Sequence, residues 1–151
     1  MLEFGLVGAG AMAGVYADRV AQRSDATVCG VASPNSAESF VADRDLDAEP
    51  YPDAETLCSA ADVDALAVLT PTATHPDVVE VAADHGVAVI CEKPIARTLA
   101  GAERIREAVE SSGITFMTAH AVRFFPAYAE AKARVDAGEL GSLGVVRTKR
   151  A

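Results

Sequence analysis

The chain has 151 residues, which at roughly 100–200 residues per domain implies one domain, or one domain and part of another. Half of the residues are hydrophobic and 23% are charged, which excludes a disordered chain and implies a core that needs no disulfide or metal staple. Thirteen basic residues against 22 acidic ones leave a net charge of −9, which argues against nucleic acid and anionic membrane surfaces as partners.

Cys29, Cys58 and Cys91 have no C-x-x-C spacing and read as small, reduced core thiols of a cytoplasmic protein. No metal site is expected. The N-terminus lacks a basic export leader, and no apolar stretch nears the ~20 residues that cross a bilayer.

In chain order, Leu2–Val7 reads as a strand and Ala11–Arg23 as a helix. Thr27–Ala32 is a β-branched strand closed by the turn cluster Ser33-Pro34-Asn35, and Ser36–Asp43 carries a weaker helical pattern. A doubtful strand lies near Glu49–Tyr51, then a short helix over Asp53–Ala60 with Asp53 as its N-cap. Ala65–Leu69 is a buried strand stopped by Thr70-Pro71-Thr72. Pro76–His85 is a helix with proline in its first turn and Gly86 past its end. Val87–Cys91, Thr98–Ser112 and Ile114–Thr118 follow as strand, helix and strand. Short strands alternating with helices predict a doubly wound α/β parallel sheet. Beyond it, Pro126–Ala137 reads as a helix and Leu143–Lys149 as a strand. That strand has no partner after it, so it is expected to be disordered or to pair with a strand of another molecule.

The first strand runs straight into Gly8-Ala9-Gly10-Ala11-Met12-Ala13, a match to G-x-G-x-x-A. Gly8 permits the tight turn, Gly10 leaves room for a diphosphate, and Ala13 lets helix and strand pack closely. The free amides at the start of the Ala11 helix would hold the phosphates. An NAD-selective fold usually carries an acid at the end of the second strand, where this chain has Ser33. Nothing there repels a 2′-phosphate, yet no Lys or Arg adjoins Ser33 to grip one, so the tilt from NAD to NADP is slight.

Further along, a buried strand delivers Glu92-Lys93-Pro94 to the carboxyl edge of the sheet. With Gly8–Ala13, Thr70-Pro71-Thr72 and His75, and Arg123-Phe124-Phe125-Pro126, the chain resembles the glucose–fructose oxidoreductase/inositol dehydrogenase/rhizopine catabolism (Gfo/Idh/MocA) family. The stretch 138–144 (Gly-Glu-Leu-Gly-Ser-Leu-Gly) is similar to that family's link into its second domain. The resemblance covers the first half of a usual member.

It implies a Rossmann NAD(P)-binding domain over residues 1–122. Residues 123–151 would be the linking helix and first strand of a truncated α+β substrate domain. It places Gly8, Gly10 and Met12 at the diphosphate, beside the Ala11 helix start, and Thr70 and Pro71 along the ribose and nicotinamide, while Ser33 keeps its place at the adenosine ribose from its position after the second strand. Glu92 and Lys93 match the family's cofactor and catalytic pair, with Pro94 after a cis peptide bond. Arg123 matches an arginine near nicotinamide and substrate. The implied reaction moves a hydride between nicotinamide and a sugar or cyclic polyol, and a cation such as Lys93 would stabilise the developing alkoxide and relay its proton. The family's second domain supplies an Asp/Asn and a His near the reacting carbon. After Arg123 this chain has Asp136 and no histidine, so it is expected to be catalytically incomplete. Alternatives are a non-catalytic NAD(P)-binding sensor or subunit, and a nucleoside-binding transferase, which Glu92-Lys93-Pro94 disfavours. Homo-oligomers, or a complementing chain joined through Leu143–Lys149, are possible partners.

His75 reads as a polar helix cap, His85 as a surface residue, His120 as near the ligand edge, and Phe124-Phe125 as packing.

Overall fold

Consecutive apolar residues in the central strands need cover on both faces, and the fold supplies it. The computed structural model describes residues 1–149. The chain divides into two compact units, the first spanning Met1–Ala119 and the second beginning at His120. In the first, six strands are β1 Leu2–Val7, β2 Ala26–Ala32, β3 Glu49–Tyr51, β4 Ala65–Val68, β5 Ala88–Cys91 and β6 Phe116–Thr118. Its helices are α1 Ala11–Val20, α2 Ala37–Asp43, α3 Ala54–Ala60, α4 His75–Asp84 and α5 Leu99–Ser112. The strands form one sheet in the order β3-β2-β1-β4-β5-β6, and every neighbouring pair is parallel. The order reverses between β1 and β4, which puts the topological switch point at their carboxyl ends.

Successive residues of a strand feed opposite layers. Leu6, Val31 and Ala67 pack with Ala13, Ala17 and Phe40 on the α1/α2 face. Val7, Ala32, Leu66, Val68, Val89 and Cys91 pack with Leu57, Val79, Ala82 and Ile105 on the α3/α4/α5 face. Cys91 is buried and Cys29 and Cys58 are half-buried, all three as free thiols.

The doubtful Glu49–Tyr51 segment is a true strand, and it lies at the sheet edge. There Pro50 can be tolerated, because an edge strand need not donate on both sides. Helix α1 stops at Val20, short of the expected Arg23. The Arg23 guanidinium instead grips the Asp25 carboxylate at 2.8 and 2.7 Å, closing the turn into β2.

Helix α3 begins where Asp53 accepts hydrogen bonds from the Thr56 amide at 2.8 Å and the Thr56 hydroxyl at 2.7 Å. The amide first, then the hydroxyl, holds the Asp53 carboxyl below its ordinary pKa. Asp53→Ala is therefore expected to cost about 1 kcal/mol, the usual value of such a cap. Because the folded-state pKa is depressed, this stabilisation is present above the unfolded carboxyl's pKa and fades as pH falls through the folded one. Urea unfolding of both proteins at neutral and progressively acid pH checks this, and a gap that does not shrink in acid would contradict it.

The second unit contains a 3-10 turn, Ala121–Phe124, followed by α6, Pro126–Asp136. One expectation fails here. Phe124 and Phe125 are 70% and 51% exposed, so they are not packed core residues. Leu143–Lys149 forms no strand among the described residues, and Val145 and Val146 stand in solvent. A strand exists only as part of a ladder, and no ladder partner is present among those residues. Among the described residues no helix is long and apolar enough to cross a membrane.

Candidate dinucleotide site

Each loop at the switch point starts by extending the ladder one step beyond its strand. The Gly8 amide donates to Ala32 O at 2.8 Å, Leu69 to Val7 O at 2.8 Å, and Glu92 to Val68 O at 3.0 Å. The loops therefore leave the sheet side by side.

Gly8 turns the chain with φ of +111°, and a Cβ there would lie 2.9 Å from the Leu69 backbone. No side chain fits that crossing. Gly10 is the N-cap of α1, with extended backbone and no side-chain cap, and no acid occupies the first helical turn. The first amides of α1 are thus unpaired within the helix, and no acid of its own first turn competes for them. A Cβ on Gly10 would meet nothing within 4 Å, so open space lies above them. Ala13 is fully buried against the sheet, as the third position of the motif requires.

A cleft of about 700 Å³ opens here, lined by Gly8, Gly10, Ser33, Asp53, Thr70 and Pro71 among others. That volume suits a small-molecule ligand. A smaller hollow beside it, about 260 Å³, is lined by Ser33, Asn35, Ser36, Glu38 and Tyr51. Five of the sequence-derived site residues therefore share one cleft: Gly8, Gly10, Ser33, Thr70 and Pro71. Ala11 borders a shallow hollow with Phe40 and Arg44, and Met12 is 43% exposed. Uncharged backbone donors around an open turn fit a diphosphate, whose charge the positive end of α1 favours.

Glu92 and Lys93 follow β5, the neighbour of β4. The Lys93 amide donates to Glu92 Oε2 at 3.1 Å, the Lys93 side chain is exposed, and the Lys93–Pro94 peptide is cis as the resemblance implies. The half-buried Tyr16 of α1 has its phenol beside the Glu92 carboxylate. Burial first, and that carboxylate second, push the phenol up to about 12. The sequence contains a hint of this, since Tyr16 lies one helical turn beyond Met12, on the same side of α1. Burial, then Glu92, also pushes Cys91 up to about 12, so its thiol is protonated and inert at neutral pH. Burial pushes Cys29 and Cys58 up to about 11.

His75 corrects the sequence expectation. It is not a polar cap but a buried side chain, 1% exposed, with Nε2 2.9 Å from Thr70 O and Nδ1 3.2 Å from Ile95 O. His85 pairs at the protein surface with Glu55, at 3.0 Å. Arg123 and His120 belong to the second unit, Arg123 within the 3-10 turn and His120 just before it.

A parallel sheet of this strand order, with a glycine turn and a bare helix N-terminus at its switch point, defines a dinucleotide-binding Rossmann domain. The family model GFO_IDH_MocA, an oxidoreductase family with an NAD-binding Rossmann fold, matches residues 2–120, and the chain belongs to that family. It is 31% identical over 140 residues to a 2,7-anhydro-N-acetylneuraminate hydratase of Mediterraneibacter gnavus, covering 93% of this chain and 37% of that protein. With an inositol 2-dehydrogenase of Rhizobium meliloti it shares 33% identity over 150 residues, 96% of this chain and 44% of the relative. The crystal structure of the WlbA dehydrogenase from Bordetella pertussis, in complex with NADH and UDP-GlcNAcA, superposes with a TM-score of 0.86 at 25% identity, covering 93% of this chain and 41% of that one. The chain spans about two-fifths of the length of these relatives.

Proposed function

We propose that this chain is the coenzyme-holding part of an oxidoreductase that moves a hydride between a nicotinamide coenzyme and a sugar or cyclic polyol. The observation that carries the proposal is the uncapped α1 N-terminus at Gly10, open to a cleft shared by Ser33 and Thr70. The substrate class follows the inositol 2-dehydrogenase relative. Residues from position 123 onward would begin a second, substrate-covering domain.

In this scheme the amides after Gly8 and Gly10, with Ala11 and Met12, hold the diphosphate. Ser33 accepts the adenosine ribose, and Thr70 and Pro71 line the ribose of the nicotinamide half. Nicotinamide, when bound, supplies the hydride acceptor. Glu92 braces the loop through its bond to the Lys93 amide and faces the coenzyme. Lys93, as the free amine, would take the hydroxyl proton as the hydride leaves the carbon, and the ammonium so formed would stabilise the substrate oxygen. Arg123 orients substrate beside the nicotinamide.

The absence of an acid at Ser33 leans slightly toward NADP. Asp53 and Glu38 line the adjoining clefts and oppose a 2′-phosphate. Both coenzymes should therefore bind, with affinities within about tenfold, or ~1.4 kcal/mol. Fluorescence titration with NADH and NADPH tests this. Saturable binding of both is the expected result, and folded protein that binds neither at millimolar coenzyme overturns the assignment.

The exposed Val145 and Val146 favour pairing of the Leu143–Lys149 segment with a strand outside this chain, in a second copy or another polypeptide. The three unpaired cysteines favour a reducing, cytoplasmic location.

A further inference from the structure

We infer that His75 is a positioning residue that holds the nicotinamide-side wall of the cleft in register. This rests on the coenzyme reading above. The β1, β4 and β5 loops are held by strand-type hydrogen bonds only as far as Gly8, Leu69 and Glu92. Past those points Thr70 and Lys93 leave the ladder, yet both must stay fixed for a ribose to lie along one and a reacting oxygen to meet the other. His75 supplies a tie exactly one residue past Leu69 on one loop and three past Glu92 on the other. Its ring reaches the Thr70 carbonyl through Nε2 at 2.9 Å and the Ile95 carbonyl through Nδ1 at 3.2 Å.

A buried imidazole with 1% exposure is held by these contacts, because an unpaired ring nitrogen in the core would be costly. The helix that presents it is itself fixed: Val79 and Ala82 of α4 are fully buried in the sheet-facing core. Both partners are acceptors, and a neutral ring carries one N–H. The ring therefore donates to one of the two carbonyls and packs against the other, so in either tautomer it stands between the two loops. Beside it, the Thr74 hydroxyl lies 2.8 Å from the Thr70 hydroxyl and 3.0 Å from Pro71 O, so the same loop is held from two sides. The role is confined to one half of the coenzyme, since in that reading Thr70 lines the nicotinamide side while the diphosphate and adenosine rest on Gly10 and Ser33.

Titration of the 151-residue chain with NADH and with ADP, which lacks the nicotinamide half, separates the two regions. His75→Ala should weaken NADH binding about tenfold, the loss of one buried hydrogen bond, and leave ADP affinity within about twofold. His75→Gln, whose amide reaches the Nε2 position, should restore most of the NADH affinity. Thermal melts establish that each variant is folded. In the ligand-free wild type, nitrogen NMR of the imidazole should show a ring N–H whose proton exchanges slowly with solvent. Equal losses for NADH and ADP, undiminished NADH binding in folded His75→Ala, or a ring proton that exchanges freely with solvent would each overturn the tie. Wild-type protein that binds neither ligand would overturn the coenzyme reading, and with it the function given to His75, whereas slow exchange of the ring proton would still report whether the tie exists.

Discussion

Gly10→Val is expected to lower affinity for NADH and NADPH by at least about a hundredfold while the protein keeps its thermal stability. The backbone at Gly10, φ −91° and ψ −169°, is an extended conformation that suits a β-branched residue. A Cβ there meets nothing within 4 Å, so the folded chain has no reason to resist the change. The space it enters is the approach to the first amides of α1. A side chain in that space keeps a diphosphate from two or more charge-assisted hydrogen bonds at about 1.5–3 kcal/mol each, which exceeds the ~2.7 kcal/mol that a hundredfold represents. Gly8→Val provides the contrast. At φ +111°, with Leu69 backbone 2.9 Å from the new Cβ, it should lose binding because the turn itself fails, and its melting transition should fall by several degrees. Calorimetric titration beside thermal melts distinguishes the two. Unchanged coenzyme affinity in folded Gly10→Val would remove this turn from the site.

The glycine turn was legible because its demands are local: a strand, two residues without side chains and a helix start. The alternating layers of the sheet were legible for a related reason. Leu6 and Val7, or Ala67 and Val68, must face opposite sides of any strand they form, and both are buried. The three-residue β3 was doubtful because Pro50 weakens it, and only its edge position makes it permissible. His75 reads as a cap because His-Pro at a helix start looks like one in isolation. Its burial depends on Ile95, twenty residues away, and no local pattern announces that contact. Tyr16 and Glu92 likewise meet only because the fold brings α1 beside the loop that follows β5. Leu143–Lys149 has strand composition, but composition supplies no ladder partner. Sequence patterns thus report what a residue needs from its chain neighbours, and the cleft is largely made of what distant loops bring to one another.

The sharpest test of the proposed chemistry is Lys93→Met, made in a polypeptide that also carries a substrate-covering domain. Its kcat for polyol oxidation is expected to fall by about 10²–10⁴, the usual contribution of a positioned proton-transfer group, while the dissociation constant for coenzyme changes by less than about threefold. The structure supports that separation. Lys93 contributes its amide to the loop, through the 3.1 Å bond to Glu92, and its exposed side chain contributes nothing that methionine would undo. Methionine keeps the unbranched stem and removes only the charge and its protons. Lys93→Arg retains the charge in a group that cannot give up a proton near neutral pH. If electrostatic stabilisation of the alkoxide dominates, arginine should recover a large share of the rate; if proton relay dominates, it should resemble methionine. Steady-state kinetics against pH, with coenzyme binding measured separately, distinguishes these outcomes, and a methionine variant with wild-type kcat would exclude Lys93 from the reaction.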